Sequence, residues 1–153
     1  MLETPHVIVG AAIATKIPNP VIALPLVLAS HFVLDMTPHW NPHLNTEMKK
    51  YGDVTIKSKY IVVLDLITAS ASGLYFISQA MPDTGHALTI GAAAILSILP
   101  DAIEGPYFFW HWRHKAIEKW IAFQKSIQSD TNVYAGLAVQ FVTVIAAFWW
   151  AFN

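Results

Sequence analysis

The sequence predicts an all-α, polytopic membrane protein forming one integral membrane domain over residues 1–153, and three observations carry that expectation. Of the 153 residues, 55% are hydrophobic and only 12% charged, about half the charge of an average soluble domain. Mean hydropathy is +0.46. Two apolar stretches reach the roughly 20 residues that a helix needs to cross a ~30 Å hydrocarbon core: 60–81, whose only charge is Asp65, and 132–152, which has none. The same composition excludes a disordered chain or a basic nucleic-acid binder, and a formal net charge of −1 gives no bulk electrostatic preference for anions or cations. Without cysteine, disulfides, thiolate metal sites and cysteine nucleophiles are excluded as well.

The N-terminal apolar region reads as a helical hairpin. Pro18-Asn19-Pro20 interrupts it, and proline removes a backbone donor and disfavours helix in the residue before it. The expected helices are 5–16 and 20–36. The first rises only ~18 Å, so it packs against its neighbours rather than spanning. Early positive charge is missing and apolar sequence continues well beyond any cleavage point, so a cleaved secretory signal is not expected. The next elements are the helix 60–81 and a slightly short membrane helix 86–103, bounded by Pro82-Asp83-Thr84-Gly85 and Gly105-Pro106. Residues 110–128 mix Trp, Ile and Phe with Lys and Glu, which predicts an amphipathic interfacial helix over about 108–128. The last membrane helix is 132–152, with Asp130-Thr131-Asn132 as its capping cluster.

Charge fixes the expected orientation. Of the nine basic residues, Lys49, Lys50, Lys57 and Lys59 fall in one loop and Arg113, Lys115, Lys119 and Lys125 in another, with Lys16 alone elsewhere. An alternating path puts both loops on one side, which the positive-inside rule makes cytoplasmic. The N-terminus is then cytoplasmic and the C-terminus outside, in a bacterial-type inner or plasma membrane.

Threading the polar residues along this path brings six of them to one depth. His6 starts the first helix, His31 and Asp35 end the second, Asp65 lies near the start of the third, and Asp101 and Glu104 end the fourth. His31/Asp35 are i,i+4 and Asp101/Glu104 are i,i+3, so each pair shares a helix face. Ionisable groups at membrane depth are costly and pair with one another, a metal or water. Two imidazoles and four carboxylates form a nitrogen–oxygen set suited to a divalent metal, Zn first, with Mn, Fe or Mg as alternatives. Six ligands suffice for two ions.

Plainer readings stand beside this one. Asp65 can be a hydrogen bonder between helices, Asp101 a turn residue after Pro100, Glu104 a solvated interface charge and His6 a helix cap. His39 and His43 follow in a proline-punctuated loop leaving the cluster. His39 and Asp65 are assigned catalytic roles, His39 as the proton donor to a leaving group. His43, with Arg113 and His114 on the interfacial segment, is assigned to binding an anionic lipid headgroup. His86 falls at the opposite membrane face.

Ser30-His31-Phe32-Val33-Leu34-Asp35-Met36-Thr37-Pro38 resembles the Ser-His-(apolar)3-Asp-x-x-Thr-Pro motif of bacterial membrane-bound metal-dependent hydrolases. These include LexA-regulated inner-membrane proteins and are distantly similar to zinc-dependent phospholipase C. Thr4-Pro5-His6 before Gly10 and Leu99-Pro100-Asp101-Ala102-Ile103-Glu104 are similar to two further elements of that family. Its His-Arg-Gly-x-Thr-His segment has no counterpart, and the Leu-Pro-Asp element follows the Ser-His element instead of preceding it. The resemblance implies a metal-dependent hydrolase with His6, His31, Asp35, Asp101 and Glu104 as ligands. The leading expectation is therefore cleavage of a lipid or lipid-linked phosphoester at the cytoplasmic face. A divalent-metal transport protein and a purely structural membrane subunit remain as rivals, and the thin cover of a few short helices leaves room for a homodimer.

Overall fold

Small residues let one short helix occupy the centre of this molecule. The computed structural model describes residues 1–153 as eight helices: α1 (Glu3–Lys16), α2 (Pro20–Met36), α3 (Leu44–Tyr51), α4 (Ile56–Ala80), α5 (Thr84–Ala102), α6 (Gly105–Phe109), α7 (Lys115–Ile127) and α8 (Val133–Phe152). Helix α1 packs against α2, α4, α5 and α8. Pro5, His6, Val7, Ile8, Gly10, Ala11, Ala12 and Ala14 are all buried, so the helix is enclosed on every side. Its approach to α5 depends on Gly10: a Cβ there would lie 2.8 Å from Ser97 Cβ and 3.2 Å from the Ala93 carbonyl oxygen. Such close backbone approach lets the two helices make extensive van der Waals contact.

Around this axis, Ile8, Ala11 and Ala12 of α1 meet Val27 of α2, Phe76 of α4, Ile90 and Ala93 of α5, and Ala147 and Ala151 of α8. Phe76 stacks obliquely on Phe148 and Phe152, with centroids 5.0 and 5.2 Å away. Helices α4, α5 and α8 are long and apolar enough to cross a membrane. Their outer faces expose large apolar side chains, including Leu64, Leu74, Leu88, Ile95 and Phe141. Each helix of this set has a side-chain cap: Thr55 accepts from Ser58 N, Asp83 from His86 N and Asn132 from Ala135 N.

The hairpin and the three long helices fall close to their predicted bounds. Helix α4 begins before residue 60 because Thr55 caps it and the Lys57 and Lys59 turn precedes the apolar run. Two predictions are corrected. Residues 44–51, read as loop, form α3, closed by Lys49, Lys50 and a left-handed Gly52 (φ 75°). The expected continuous helix over 108–128 is broken into α6 and α7. His111 has φ 54°, Trp112 N bonds back to the Pro106 carbonyl at 3.0 Å, and Arg113 is tied to Tyr107 at 2.7 Å. Met48 of α3, Val54, Tyr107 and Phe108 of α6 and Ile121 of α7 form a second small core, which covers one end of the bundle. The loop after α2 is fastened there too. His39 N donates to the Ser129 carbonyl at 3.0 Å, Thr131 N to the His39 carbonyl at 2.9 Å, and Ser129 N to the Asp35 carbonyl at 3.0 Å.

Candidate metal centre

Four helices deliver polar side chains to the covered end. His6 comes from the second turn of α1, His31 and Asp35 from the last turns of α2, Asp101 from the end of α5, and Gln124 from the inner face of α7. His6, His31 and Asp35 are each 0% exposed. One ligand atom from each of His6, His31, Asp35 and Asp101 lies within 4.8 Å of all the others. His6 Nε2 is 3.3 Å from Asp35 Oδ1, His31 Nε2 is 3.5 Å from Asp35 Oδ2 and 3.8 Å from Asp101 Oδ1. A tetrahedral ion with ligands at 2.0–2.1 Å places them about 3.3 Å apart; the shortest of these contacts already match that spacing, while the widest within the group, up to 4.8 Å, must draw in. The rings of His6 and His31 are stacked 4.2 Å apart at 22°.

The hydrogen bonds around His31 define what this cluster asks for. His31 Nδ1 lies 2.7 Å from the Ser97 carbonyl oxygen, an acceptor only, so Nδ1 carries the proton. Nε2 then holds a lone pair in the neutral ring. It faces Asp35 Oδ2, Asp101 Oδ1 and, at 3.3 Å, Gln124 Oε1. The amide orientation of Gln124 is fixed because its Nε2 donates to Asp101 Oδ1 at 2.8 Å and Glu104 Oε1 at 3.2 Å. A neutral His31 therefore turns its lone pair toward three oxygen acceptors, an arrangement that a cation or a second ring proton resolves. Both ring nitrogens of His6 and Asp35 Oδ2 are buried without a hydrogen-bond partner. Such orphaned polar atoms are costly in a low-dielectric interior. The Met1 amino group reaches Asp35 Oδ1, which leaves those three atoms as they are. The residues present fit a divalent metal with a nitrogen–oxygen ligand set.

A cavity of about 160 Å³ opens beside the cluster, lined by Glu3, His43, Asp65, Asp101, Glu104 and Gln124 among others. Burial, reinforced by the neighbouring Asp101 carboxylate, pushes the Glu104 carboxyl up to about 8. Glu104 thus joins the centre through Gln124 and the cavity wall. Asp65 shares the wall, but its carboxylate is engaged elsewhere: it accepts from Glu3 N at 2.6 Å, Thr4 N at 3.1 Å and Thr4 Oγ1 at 2.6 Å. Helix α1 has no side-chain cap of its own, so Asp65 caps it from α4. That is the hydrogen-bonding role weighed in the sequence.

His39 is 0% exposed and lies outside the four-residue group. Its Nδ1 donates to the Thr37 carbonyl at 2.8 Å, and its Nε2 is buried without a partner. Burial holds its pKa below the ordinary histidine value, so the ring is neutral with Nε2 as an open acceptor. Arg113 and His114 are not brought to the cavity wall. The Arg113 guanidinium lies over the Tyr107 ring, 4.6 Å from its centroid, while His114 Nδ1 accepts from Ala116 N at 3.2 Å to cap α7. His86 bonds the Ala14 carbonyl oxygen at 3.0 Å, by the far end of α1.

Sequence reasoning missed Gln124, Ser97 and Glu3. The Ser97 contribution is a carbonyl, which side-chain identity does not reveal. Gln124 carried a signal, since it falls at i+3 from Ile121 on the face of α7 that is buried. Glu3 Oε2 is another buried oxygen without a partner. No family model, curated protein or solved structure matches this chain.

Proposed function

We propose that the chain is an integral membrane protein whose His6–His31–Asp35–Asp101 centre binds a divalent metal and hydrolyses a lipid or lipid-linked ester or phosphoester at the cytoplasmic face. The observation that carries this reading is His31, held by the Ser97 carbonyl so that Nε2 faces Asp35, Asp101 and Gln124. Metal-bound histidines commonly donate their other N–H to a carbonyl, which fixes tautomer and ring angle. Two nitrogens and two carboxylate oxygens within 4.8 Å of one another favour Zn, with Mn and Fe next and Mg last. The basic loops around Lys49–Lys59 and Arg113–Lys125 support a cytoplasmic position for this end of the bundle.

Held by His6, His31, Asp35 and Asp101, a divalent ion would supply Lewis acidity and acidify water at the site. The protein's own groups do the rest. Gln124 holds Asp101 and Glu104 in register through its amide. Glu104, protonated at neutral pH, carries a proton at the cavity wall for the leaving group. The roof of α3, α6 and α7 limits water at the buried pair His31/Asp35. Three short motifs similar to membrane-bound metal-dependent hydrolases support the same reading.

Elemental analysis of the detergent-purified protein tests it. Stoichiometric divalent metal is expected in the wild type and its loss in His31→Ala and Asp35→Ala, together with metal-dependent release of the headgroup from a phospholipid. A metal-free wild type, or full metal retention in both variants, overturns the proposal. In that case Gln124 and the carboxylates form a structural polar cluster, and chelator leaves thermal stability unchanged.

A further inference from the structure

A second hollow lies on the outside of the bundle at the same depth. It measures about 680 Å³ and runs between α4 and α8, floored by Leu2, Thr4 and Pro5. Ile61, Leu64 and Thr68 of α4 face Leu137, Phe141 and Val144 of α8. Both sets follow helical spacing, so each is one continuous helix face. The groove exists because the backbones of α4 and α8 both pack closely on α1, while the two helices meet each other through the aromatic rings of Tyr75 and Phe76 against Phe148 and Phe152, beyond the groove. Its walls extend ~10 Å along the helices.

The lining identifies the occupant. Both flanking helices are long and apolar enough to cross a membrane, so on the membrane reading above the groove opens into hydrocarbon. The polar groups at its one end are already satisfied: Asp65 by Glu3 N, Thr4 N and Thr4 Oγ1, and Gln140 by Leu2 N and the Trp40 carbonyl. No directional group is left for a protein partner, while an apolar chain requires none. Leu2 and Asp65 line both this groove and the acidic cavity beside the metal centre. The apolar channel thus ends at the wall of the polar one.

We propose that the α4–α8 groove seats one acyl chain of a membrane lipid, entering sideways from the bilayer, and places the ester end of that chain at the Leu2–Asp65 wall of the metal cavity. Seating of the chain stands on the groove alone; delivery of the ester rests on the hydrolase reading above.

The test uses the full chain in phosphatidylcholine–phosphatidylglycerol nanodiscs, with a phosphatidylcholine carrying a photoactivatable diazirine on one acyl chain. Ala138 lines the groove and is exposed, so Ala138→Trp fills it without disturbing the core. Ala146, exposed on the opposite side of α8, gives Ala146→Trp as the control. Label concentrated on Ile61, Leu64, Phe141 and Val144, lost in Ala138→Trp and kept in Ala146→Trp, is the expected result. Label spread equally over Leu88 and Ile95 of α5, or crosslinks to a second copy of the chain in the groove, overturns it. Hydrolysis is read separately. Ala138→Trp should slow turnover of a long-chain phospholipid about tenfold and spare a short, water-soluble phosphoester. Groove-specific label in a protein that hydrolyses neither substrate sinks the hydrolase reading and leaves acyl seating intact. Equal slowing of both substrates overturns the delivery step.

Discussion

Replacing Asp35 by Asn tests the metal centre with the least change of shape. Asp35 meets both histidines, through Oδ1 to His6 at 3.3 Å and through Oδ2 to His31 at 3.5 Å. Asn keeps the size and one acceptor but removes the negative charge and one ligand oxygen. In the native protein, free metal at about 1,000 times its Kd adds about 4 kcal/mol to stability. On the scale of ~2–4 °C per kcal/mol for a domain of this size, that is a rise of ~8–16 °C in Tm. Losing even an outer-shell partner typically weakens metal binding 10–100-fold, and a direct ligand should reach the top of that range. At the same metal concentration the variant then keeps ~1.4 kcal/mol, or ~3–6 °C. The assay is thermal unfolding in detergent of wild type and Asp35→Asn, each with chelator and with saturating Zn. Only the difference between the two metal increments matters, because any metal-free destabilisation cancels. Equal increments in the two proteins would refute the reasoning, since Asp35 would then be a partner for the two histidines and the Met1 amino group and nothing more.

Four further outcomes follow from the same geometry. Gln124→Leu removes the amide that donates to Asp101 and Glu104; metal affinity by titration should fall ~10–100-fold, with ~1–3 kcal/mol of stability lost to unpaired buried oxygens. Glu104 ionises near 8 in the folded protein against 4.5 as an ordinary glutamate. The unfolded chain therefore releases this proton first, and metal-free stability should decline as pH rises from about 4.5 to about 8. Glu104→Gln should flatten that decline in chelator-treated protein, and an unchanged slope refutes the assignment. Gly10→Val forces a side chain into Ser97 and the Ala93 carbonyl, which should cost at least ~1–3 kcal/mol in thermal unfolding. It should also weaken metal binding, because Ser97 orients His31. Asp65→Ala removes the cap that α4 provides to α1; a loss of ~0.5–2 kcal/mol with unchanged metal content is expected, and loss of metal would place Asp65 at the centre instead.

What the sequence made legible was governed by cost. On the membrane reading a charge or imidazole at that depth is expensive enough that His6, His31, Asp35 and Asp101 were expected to share a partner, and the predicted path put them at one end. Length and apolarity likewise predicted the hairpin and the three long helices. Uncharged and backbone groups carry no such signal. The Ser97 carbonyl and the Gln124 amide decide which nitrogen of His31 faces the cluster, yet neither stands out from its neighbours in the chain. Helix α3 escaped because it is short and mostly polar, needing Met48 and the α6 aromatics to hold it. The break between α6 and α7 rests on Arg113 reaching Tyr107, a contact no periodicity encodes. Asp65 is the most instructive residue. By depth it was indistinguishable from Asp101, and only its angular position around α4, toward Glu3 and Thr4, makes it a helix cap.

These details bind the site to the fold. His6 rides on α1, which cannot reach across a bilayer and is held in place by α2, α4, α5 and α8. His31 is oriented by a carbonyl of α5, Asp101 by an amide of α7, and the N-terminus of α1 by a carboxylate of α4. Two side chains at the centre, His31 and Asp101, are therefore positioned by helices other than their own. An ion drawn to the four ligands would pull α1, α2 and α5 together at the end where the roof is built from short helices. Metal binding and closure of that roof are then one equilibrium, and hydrogen exchange in α3 and α7 should slow on adding Zn to the wild type while staying fast in Asp35→Asn. Identical exchange with and without Zn in the wild type would mean that the roof closes by its own small core of Met48, Tyr107, Phe108 and Ile121, independently of the centre beneath it.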